Sequence, residues 1–137
     1  MSMPVKSTLI RLSDTTFVPA EPNQDIRGRK VIDADGEDVG DVHDLFIDDD
    51  EKKVRLMEVT SGGFLGLGKT HALLPVDTIT RVDKWIVHIN RHRDHVASSP
   101  AYDPKLVDQK YIDLLDRHYS LVPFWTEGYS YPAFPYY

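Results

Sequence analysis

Residues 26–80 constrain the fold most, because they form a run of short apolar segments separated by turn residues. The segments are rich in Val, Ile and Leu, and the turns between them carry Gly, Asp or Pro. Short apolar segments with this punctuation are typical of β-strands rather than of helices. We therefore expect a mainly β protein, with a small, strongly bent, antiparallel and partly closed β-barrel of about six strands.

Turn residues and apolar spacing set the expected strands. Asp35-Gly36 lies between the first two strands and is a strong hairpin signal, because a tight hairpin turn favours residues that tolerate positive φ. From Val39 to Ile47 the apolar residues step by three, three and two positions, so we expect an inserted residue, a β-bulge, near His43-Asp44. The strands are expected at residues 29–33, 39–48, 54–61, 71–76, 78–82 and 85–90.

Three of these strands carry further information. The strand at 54–61 has apolar residues on both faces, so we expect it to be covered on both sides. Pro75 cannot donate to a neighbouring strand, and it therefore places the end of its strand at the barrel edge. In the last strand, alternation predicts Trp85, Val87 and Ile89 on one face.

The segment GGFLGLGKT, residues 62–70, satisfies the phosphate-loop pattern GxxxxGK[ST]. A phosphate loop leads into a helix, whose N-terminus and backbone N–H groups bind the phosphates. Here the next residues are HALLPV, an apolar run with a proline, which favours a strand. We therefore predict a glycine-rich hairpin loop with an apolar tip, and keep nucleotide binding only as a second alternative. The tip provides three interaction candidates, Phe64, Leu65 and Leu67.

Charge and composition exclude several classes of function. The net charge of −6 and the pI near 5.4 disfavour binding to nucleic acids or anionic membranes, since both need a basic surface. The absence of Cys excludes disulfides and thiolate chemistry. No apolar run of about 18 residues occurs, and residues 1–21 lack the features of a secretory signal. We expect a cytoplasmic protein with no transmembrane segment.

Three polar patterns invite a catalytic or metal-site interpretation, and we reject each. His88, His92 and His95 would align only on a helix, whereas residues 85–90 are predicted as strand, so we interpret them as surface histidines in a linker. The acidic run 48–51 lacks the alternating frame of a calcium loop and is interpreted as a solvated turn. The carboxylates available for an acid–base pair lie in turns. We expect no enzymatic activity, no cofactor and no metal.

Three segments flank the barrel. Residues 1–25 form an N-terminal arm, interpreted as partly ordered, or as an added edge strand or a segment that packs on a second copy. Residues 98–120 form a linker and an amphipathic helix, which starts at Asp103-Pro104 and packs on the barrel or on a copy of itself. The extended tail, residues 121–137, is rich in Pro and aromatic residues that should be docked. Its interaction candidates are Phe124, Trp125, Tyr129, Tyr131 and Phe134.

A set of turn and bulge residues recurs with specific spacing between residues 33 and 76. It comprises Asp33, Gly36, Gly40, Val42, Asp44, Asp48, the glycine loop 62–66 and Pro75-Val76. With this pattern, the barrel segment 26–97 resembles the PRC-barrel domain family, which is named for the cytoplasmic domain of the photosynthetic reaction centre H subunit. A related barrel forms the C-terminal half of a ribosome maturation factor. The resemblance implies a partly closed barrel that serves as an assembly or adaptor module without a catalytic residue set.

We expect a stand-alone interaction module. The sequence has no counterpart of the H subunit's transmembrane helix or of the maturation factor's separate N-terminal domain. The expected partner is a protein of unknown identity, and we expect self-association into a homo-oligomer, with a dimer as the simplest form, through the helix, the loop tip or the tail. The alternative is a ribosome- or RNA-associated adaptor, which the acidic charge disfavours.

Overall fold

The chain folds around one β-sheet. A computed structural model describes residues 9–14, 25–48, 53–62, 69–100, 109–121 and 129. The strands are β1 Leu9–Arg11, β2 Lys30–Ile32, β3 Asp38–Asp48, β4 Val54–Gly62, β5 Lys69–Pro75, β6 Ile79–Val82 and β7 Ile86–Ile89. The helices are α1 Arg93–Ala97 and α2 Gln109–His118, and 3-10 turns lie at Leu12–Asp14 and Val76–Thr78. The strand order is β5-β4-β3-β2-β7-β6, with β1 beside β3.

The predicted fold class is confirmed, since the protein is mainly β with a C-terminal helix, and β2 to β7 lie close to the six expected strands. One pairing differs from the expected antiparallel arrangement. β2 and β7 run parallel, with Lys30 opposite Ile86 and Val31 opposite Val87, so the sheet is mixed. Local turn residues fix only the direction of strands that follow each other along the chain, and four strands separate β2 from β7.

Part of the N-terminal arm joins the sheet as strand β1, in addition to the six predicted strands. Leu9–Arg11 pairs antiparallel with the end of β3, where Ile10 is opposite Ile47. Leu12 follows in a 3-10 turn and is 2% exposed in the core. Of the interpretations of the arm, the added strand therefore holds for these residues.

The predicted β-bulge is confirmed. The register of β3 against β4 shifts between Val42 and Asp44, and it shifts again between Phe46 and Ile47. The first shift leaves His43 exposed and turns the next side chain, Asp44, into the interior. The bulge therefore bends the strand and also determines which polar group enters the barrel.

The predicted hairpin between β2 and β3 is confirmed, but its turn differs from the expected one. Only Gly36 has a positive φ there, +82°, and its N–H donates to the backbone oxygen of Asp33. The carboxylate of Asp33 accepts the backbone N–H groups of Asp35, Glu37 and Arg93, each at 2.8 Å. Burial disfavours the ionised form of Asp33, but these three donors outweigh it and lower the pKa of this carboxyl.

The core lies on the inner face of the sheet and under α2. As expected, the apolar residues of β4 are buried on both faces, and β5 is an edge strand that ends at Pro75. Val87 and Ile89 share a buried face, in line with the predicted alternation, whereas Trp85 is 71% exposed. The strand was expected to begin at Trp85, but β7 begins at Ile86, so the indole belongs to the preceding turn.

Two helices follow the sheet. α1, Arg93–Ala97, lies in the segment whose histidines were interpreted as part of a linker. α2 buries one face against the barrel through Tyr111, Ile112 and Leu115, while Leu114 is 45% exposed. The predicted helix start at Asp103-Pro104 lies outside the described residues. Neither helix is long and apolar enough to cross a bilayer, within the described part of the chain.

Candidate functional site

The tail is the one predicted interaction region with a candidate residue in the described structure. That residue is Tyr129, which is half-buried. The other candidates, Phe64, Leu65, Leu67, Phe124, Trp125, Tyr131 and Phe134, lie outside the described residues.

Tyr129 contacts the chain's own barrel. Its hydroxyl donates to Oδ2 of Asp77 at 2.6 Å. Its ring centroid lies 6.0 Å from Cζ of Arg55, within the range of a cation–π contact. At this residue the tail is therefore docked within one chain, which reduces the set of aromatic residues left for a partner.

Arg55 belongs to a buried ion pair that the sequence analysis did not anticipate. Its side chain is 4% exposed, and its Nε donates to Oδ2 of the fully buried Asp48 at 2.7 Å. Asp48 was assigned to a solvated turn, but it is the last residue of β3 and pairs across to β4. The prediction for Asp48 was wrong, while residues 49–51 lie outside the described residues.

Two carboxyls lie close together where α2 meets the 3-10 turn after β5. Burial raises the pKa of Asp77. Burial also raises the pKa of Asp116 to about 7, and the negative charges of Asp77 and Asp113 add to this effect. Asp116 therefore exchanges its proton near neutral pH. The expectation that such carboxylates lie only in turns was wrong, because α2 carries Asp116 on its buried side.

A second buried polar cluster joins β1, β3 and β4. Nη1 of Arg11 lies 3.3 Å from Asp44 and also forms a close ion pair with Glu58. Glu58 is 2% exposed and its Oε2 lies 2.6 Å from Nδ1 of His71. Asp44 also accepts the N–H of Leu45 at 2.9 Å. The bulge supplies Asp44 and the added strand supplies Arg11, so the cluster exists only in the assembled sheet.

The sequence does contain a signal for these buried groups. The run VRLMEV in β4 places Arg55 and Glu58 among apolar residues that are buried on both faces of the strand. Charged residues are almost never fully buried unless they are paired. Their position therefore predicts buried partners, although it does not name them.

An open groove of about 800 Å³ lies between α1 and the ends of β3, β4 and β5. Its charged lining is mixed and includes Lys30, Asp38, Asp41 and Arg93. A hydrogen bond from Lys30 to Asp38, at 2.8 Å, raises the pKa of this lysine. The groove therefore presents charges of both signs rather than a site for one type of ion.

The three histidines considered as metal ligands have separate neighbours. His88 lies 3.4 Å from Asp83, and Nδ1 of His92 lies 2.8 Å from Asp35. The ring of His95 stacks on that of His118 at 4.1 Å, which makes it half-buried rather than a surface residue of a linker. Among the described residues, no group of three or more His, Asp or Glu side chains is arranged to hold a metal ion.

The residues after the glycine loop form a strand, as predicted. Lys69 and Thr70 lie in β5 and pair with Gly62 and Ser61 of β4. These two residues therefore belong to a strand of the sheet, and their backbone N–H groups do not form the N-terminus of a helix. The strand contradicts the phosphate-loop alternative, which needs that helix.

The family model of the PRC-barrel domain matches residues 21–96, which include all strands from β2 to β7. No curated protein matches the chain. The match covers more than half of the 137 residues, and the strand pattern, the bulge and the glycine loop lie within it. The chain therefore belongs to the PRC-barrel domain family.

Proposed function

We propose that this chain is a non-catalytic protein-interaction module that associates with itself. The observation that carries the proposal is the internal pairing of its buried charges. Arg11 is held by Asp44 and Glu58, and Arg55 is held by Asp48. Buried ion pairs of this kind can fix one arrangement of the barrel, and their internal pairing supports a structural role for these charges. The function of the molecule then lies on its surface.

The exposed face of α2 supports self-association. The opposite face is buried in the core through Tyr111, Ile112 and Leu115, so the helix is held rigidly. Leu114 projects from the outer face and is 45% exposed, beside the exposed Lys110. An apolar side chain on a rigid helix is suited to a symmetric contact with a second copy. This arrangement agrees with the assembly role that the family resemblance to the reaction centre H subunit implies.

Light scattering at several protein concentrations tests the proposal. The wild-type chain should approach the mass of a dimer as its concentration rises. Leu114→Gln should weaken the dimer by about tenfold in Kd, which corresponds to roughly 1.4 kcal/mol. Lys84→Gln changes an exposed residue outside α2, between β6 and β7, and should leave the dimer unchanged. A strictly monomeric wild-type chain would contradict self-association.

We also propose a cytoplasmic location, which the absence of cysteine supports.

A further inference from the structure

Trp85 is the most exposed large apolar side chain in the described part of the molecule, at 71% exposure. It lies at the tip of the turn between β6 and β7. Leaving an indole in water forgoes a large amount of hydrophobic stabilisation, since aromatic side chains bury 150–250 Å² when they are covered. A tryptophan held in this position is therefore a candidate contact residue.

The turn holds the backbone of Trp85 rigidly. Its N–H donates to Oδ1 of Asp83 at 3.0 Å, and its backbone oxygen accepts the N–H of Lys30 at 3.0 Å. Asp83 also accepts the N–H of Ile86, and Arg29 donates to the backbone oxygen of Asp83 at 2.9 Å. The backbone N–H of Trp85 is the main cause of the lowered pKa of Asp83. Because the backbone of the tip is ordered beforehand, docking of a partner there costs the tip little conformational entropy.

The surroundings of Trp85 are positive in a chain whose net charge is −6. Nζ of Lys84 lies 5.2 Å from the centroid of the indole. The side chain of Arg81 is 65% exposed and lies 3.6 Å from Asp83. Arg81 thus lies near the carboxylate of Asp83, and Arg29 donates to the backbone oxygen of the same residue. The tip therefore combines an apolar anchor with an excess of positive charge.

We propose that Trp85, Lys84 and Arg81 form a docking site for an acidic segment of a partner protein. This inference rests on the proposed interaction function and adds a second surface, distinct from Leu114 on α2. Tryptophan and arginine are the residues that most often dominate binding energy at protein interfaces. The carboxylates of a short acidic segment would pair with the cations while an apolar residue of the segment covers the indole.

A short acidic segment fits the charge distribution better than a larger polyanion does. An anionic bilayer or a nucleic acid extends well beyond the tip and would meet the rest of a chain with net charge −6. A segment of several residues meets only the positive tip. The charge complementarity is therefore local, and we expect binding of the segment to weaken as the salt concentration rises.

The test uses the full chain and a fluorescein-labelled peptide of Asp and Glu with one central Phe, followed by anisotropy. The wild-type chain should bind the peptide saturably. Trp85→Ala and Lys84→Glu should each weaken binding by about tenfold, the scale of a moderate interface contact. Lys110→Glu makes the same charge change on α2 and should leave binding unaltered. A peptide with Gln in place of Asp and Glu should not bind.

Several results would overturn the inference. They are absence of peptide binding, an equal effect of Lys84→Glu and Lys110→Glu, and Trp85-dependent binding to phosphatidylglycerol vesicles in place of the peptide. Dissociation of the dimer by Trp85→Ala would instead identify the tip as a subunit contact and would also overturn it. A wild-type dimer that does not bind the peptide would refute only this inference. A wild-type monomer that binds the peptide would refute only self-association.

Discussion

Gly40 shows how one residue sets the spacing of two strands. Its φ is +143°, and a Cβ built there would lie 2.2 Å from the backbone oxygen of Thr60. Side chains at that φ are strained, and real Cβ atoms do not approach backbone this closely. β3 and β4 can therefore approach each other this closely only because the residue is glycine.

Gly40→Ala should lower the free energy of unfolding by roughly 2–4 kcal/mol, because it adds backbone strain and a contact with fixed backbone. Gly36→Ala is the matched control. Its φ is also positive, +82°, but open space surrounds the added Cβ, so the loss should be about 1 kcal/mol. Urea denaturation measures both, and equal losses would show that steric contact with Thr60 is unimportant.

Arg55 tests the buried ion pair with Asp48. Arg55→Ala leaves the fully buried Asp48 without its 2.7 Å partner, so unfolding should become easier by about 3–5 kcal/mol. Arg81→Ala removes an ion pair whose arginine side chain is 65% exposed, and it should cost at most about 1 kcal/mol. Thermal denaturation of the two variants compares them directly. Similar midpoints would argue against a structural role for the buried pair.

The helix α2 packs on the barrel with the buried carboxyl of Asp116 on its inner side, and it ends in a defined C-terminal cap. Asp116 faces the region of Asp77, and Leu115 beside it is fully buried. After the helix, Ser120 adopts a φ of +57°. The N–H of Leu121 donates to the oxygen of Asp116, and that of Ser120 to the oxygen of Arg117, which is the Schellman arrangement.

The pH dependence of stability should report Asp116. Its folded pKa of about 7 lies above the ordinary aspartate value of 3.8, so the folded state binds the proton more tightly. The stability contributed by the protonated group is complete below pH 4 and is lost as the pH rises towards 7. Asp116→Asn should flatten this decline, by a total on the order of 2 kcal/mol after allowance for solvent screening.

Denaturant midpoints measured from pH 4 to pH 8 provide the comparison for Asp116. Asp113→Asn is the comparison, because this partly exposed residue pairs with Arg117 at 3.0 Å on the helix surface. Its charge adds less to the raised pKa of Asp116 than burial does, so most of the decline should persist in that variant. An unchanged slope in Asp116→Asn would mean that the carboxyl does not titrate in this range. The raised pKa of Asp77 acts in the same direction, so part of the slope should remain in the variant.

Ser120→Gly should stabilise the protein. The left-handed conformation of Ser120 is costly for a residue with a Cβ and free of that cost for glycine. We expect a gain of about 0.5–1 kcal/mol in the free energy of unfolding. Ser98→Gly, at the end of α1 where φ is −92°, should not stabilise. A loss of stability in Ser120→Gly would contradict the proposed cap.

Across the molecule, one residue of the tail, Tyr129, contacts residues of the barrel. Tyr129 donates to Asp77, Asp77 lies in the turn after β5, and Arg55 lies under the tyrosine ring. Residues far apart in the chain thus meet at one end of the sheet. Tyr129 and the C-terminal helix therefore belong to the same folded unit as the barrel.

Tyr129→Phe should lower the free energy of unfolding by about 1–2 kcal/mol, because it removes a hydrogen bond to a half-buried carboxylate and leaves the ring in place. Tyr111→Phe offers a comparison, since the hydroxyl of Tyr111 donates to a neutral backbone oxygen, that of Pro100, and should contribute less. Calorimetry on the two variants provides the measurement. Identical melting of Tyr129→Phe and wild type would show that the tail contact adds nothing to stability.

Much of the barrel and little of the candidate site could be predicted from the sequence. The hairpin at Gly36 and the bulge near Asp44 were predictable because turn residues and apolar spacing act over a few neighbouring positions. The burial of Asp116 was not, because it depends on where α2 packs. Trp85 fits the alternation of β7, yet the strand starts one residue later and leaves the indole in a turn.

The amino-acid sequence was enough to predict the order of the strands, the strand that follows the glycine loop and the family to which the barrel belongs. These features follow from local patterns of apolar residues, glycine and proline. The parallel pairing of β2 with β7 and the partners of Arg11 and Arg55 became evident only from the folded chain. The physical reason is that strand pairing and charge burial depend on which distant segments lie side by side, and residues near each other in the chain do not specify that.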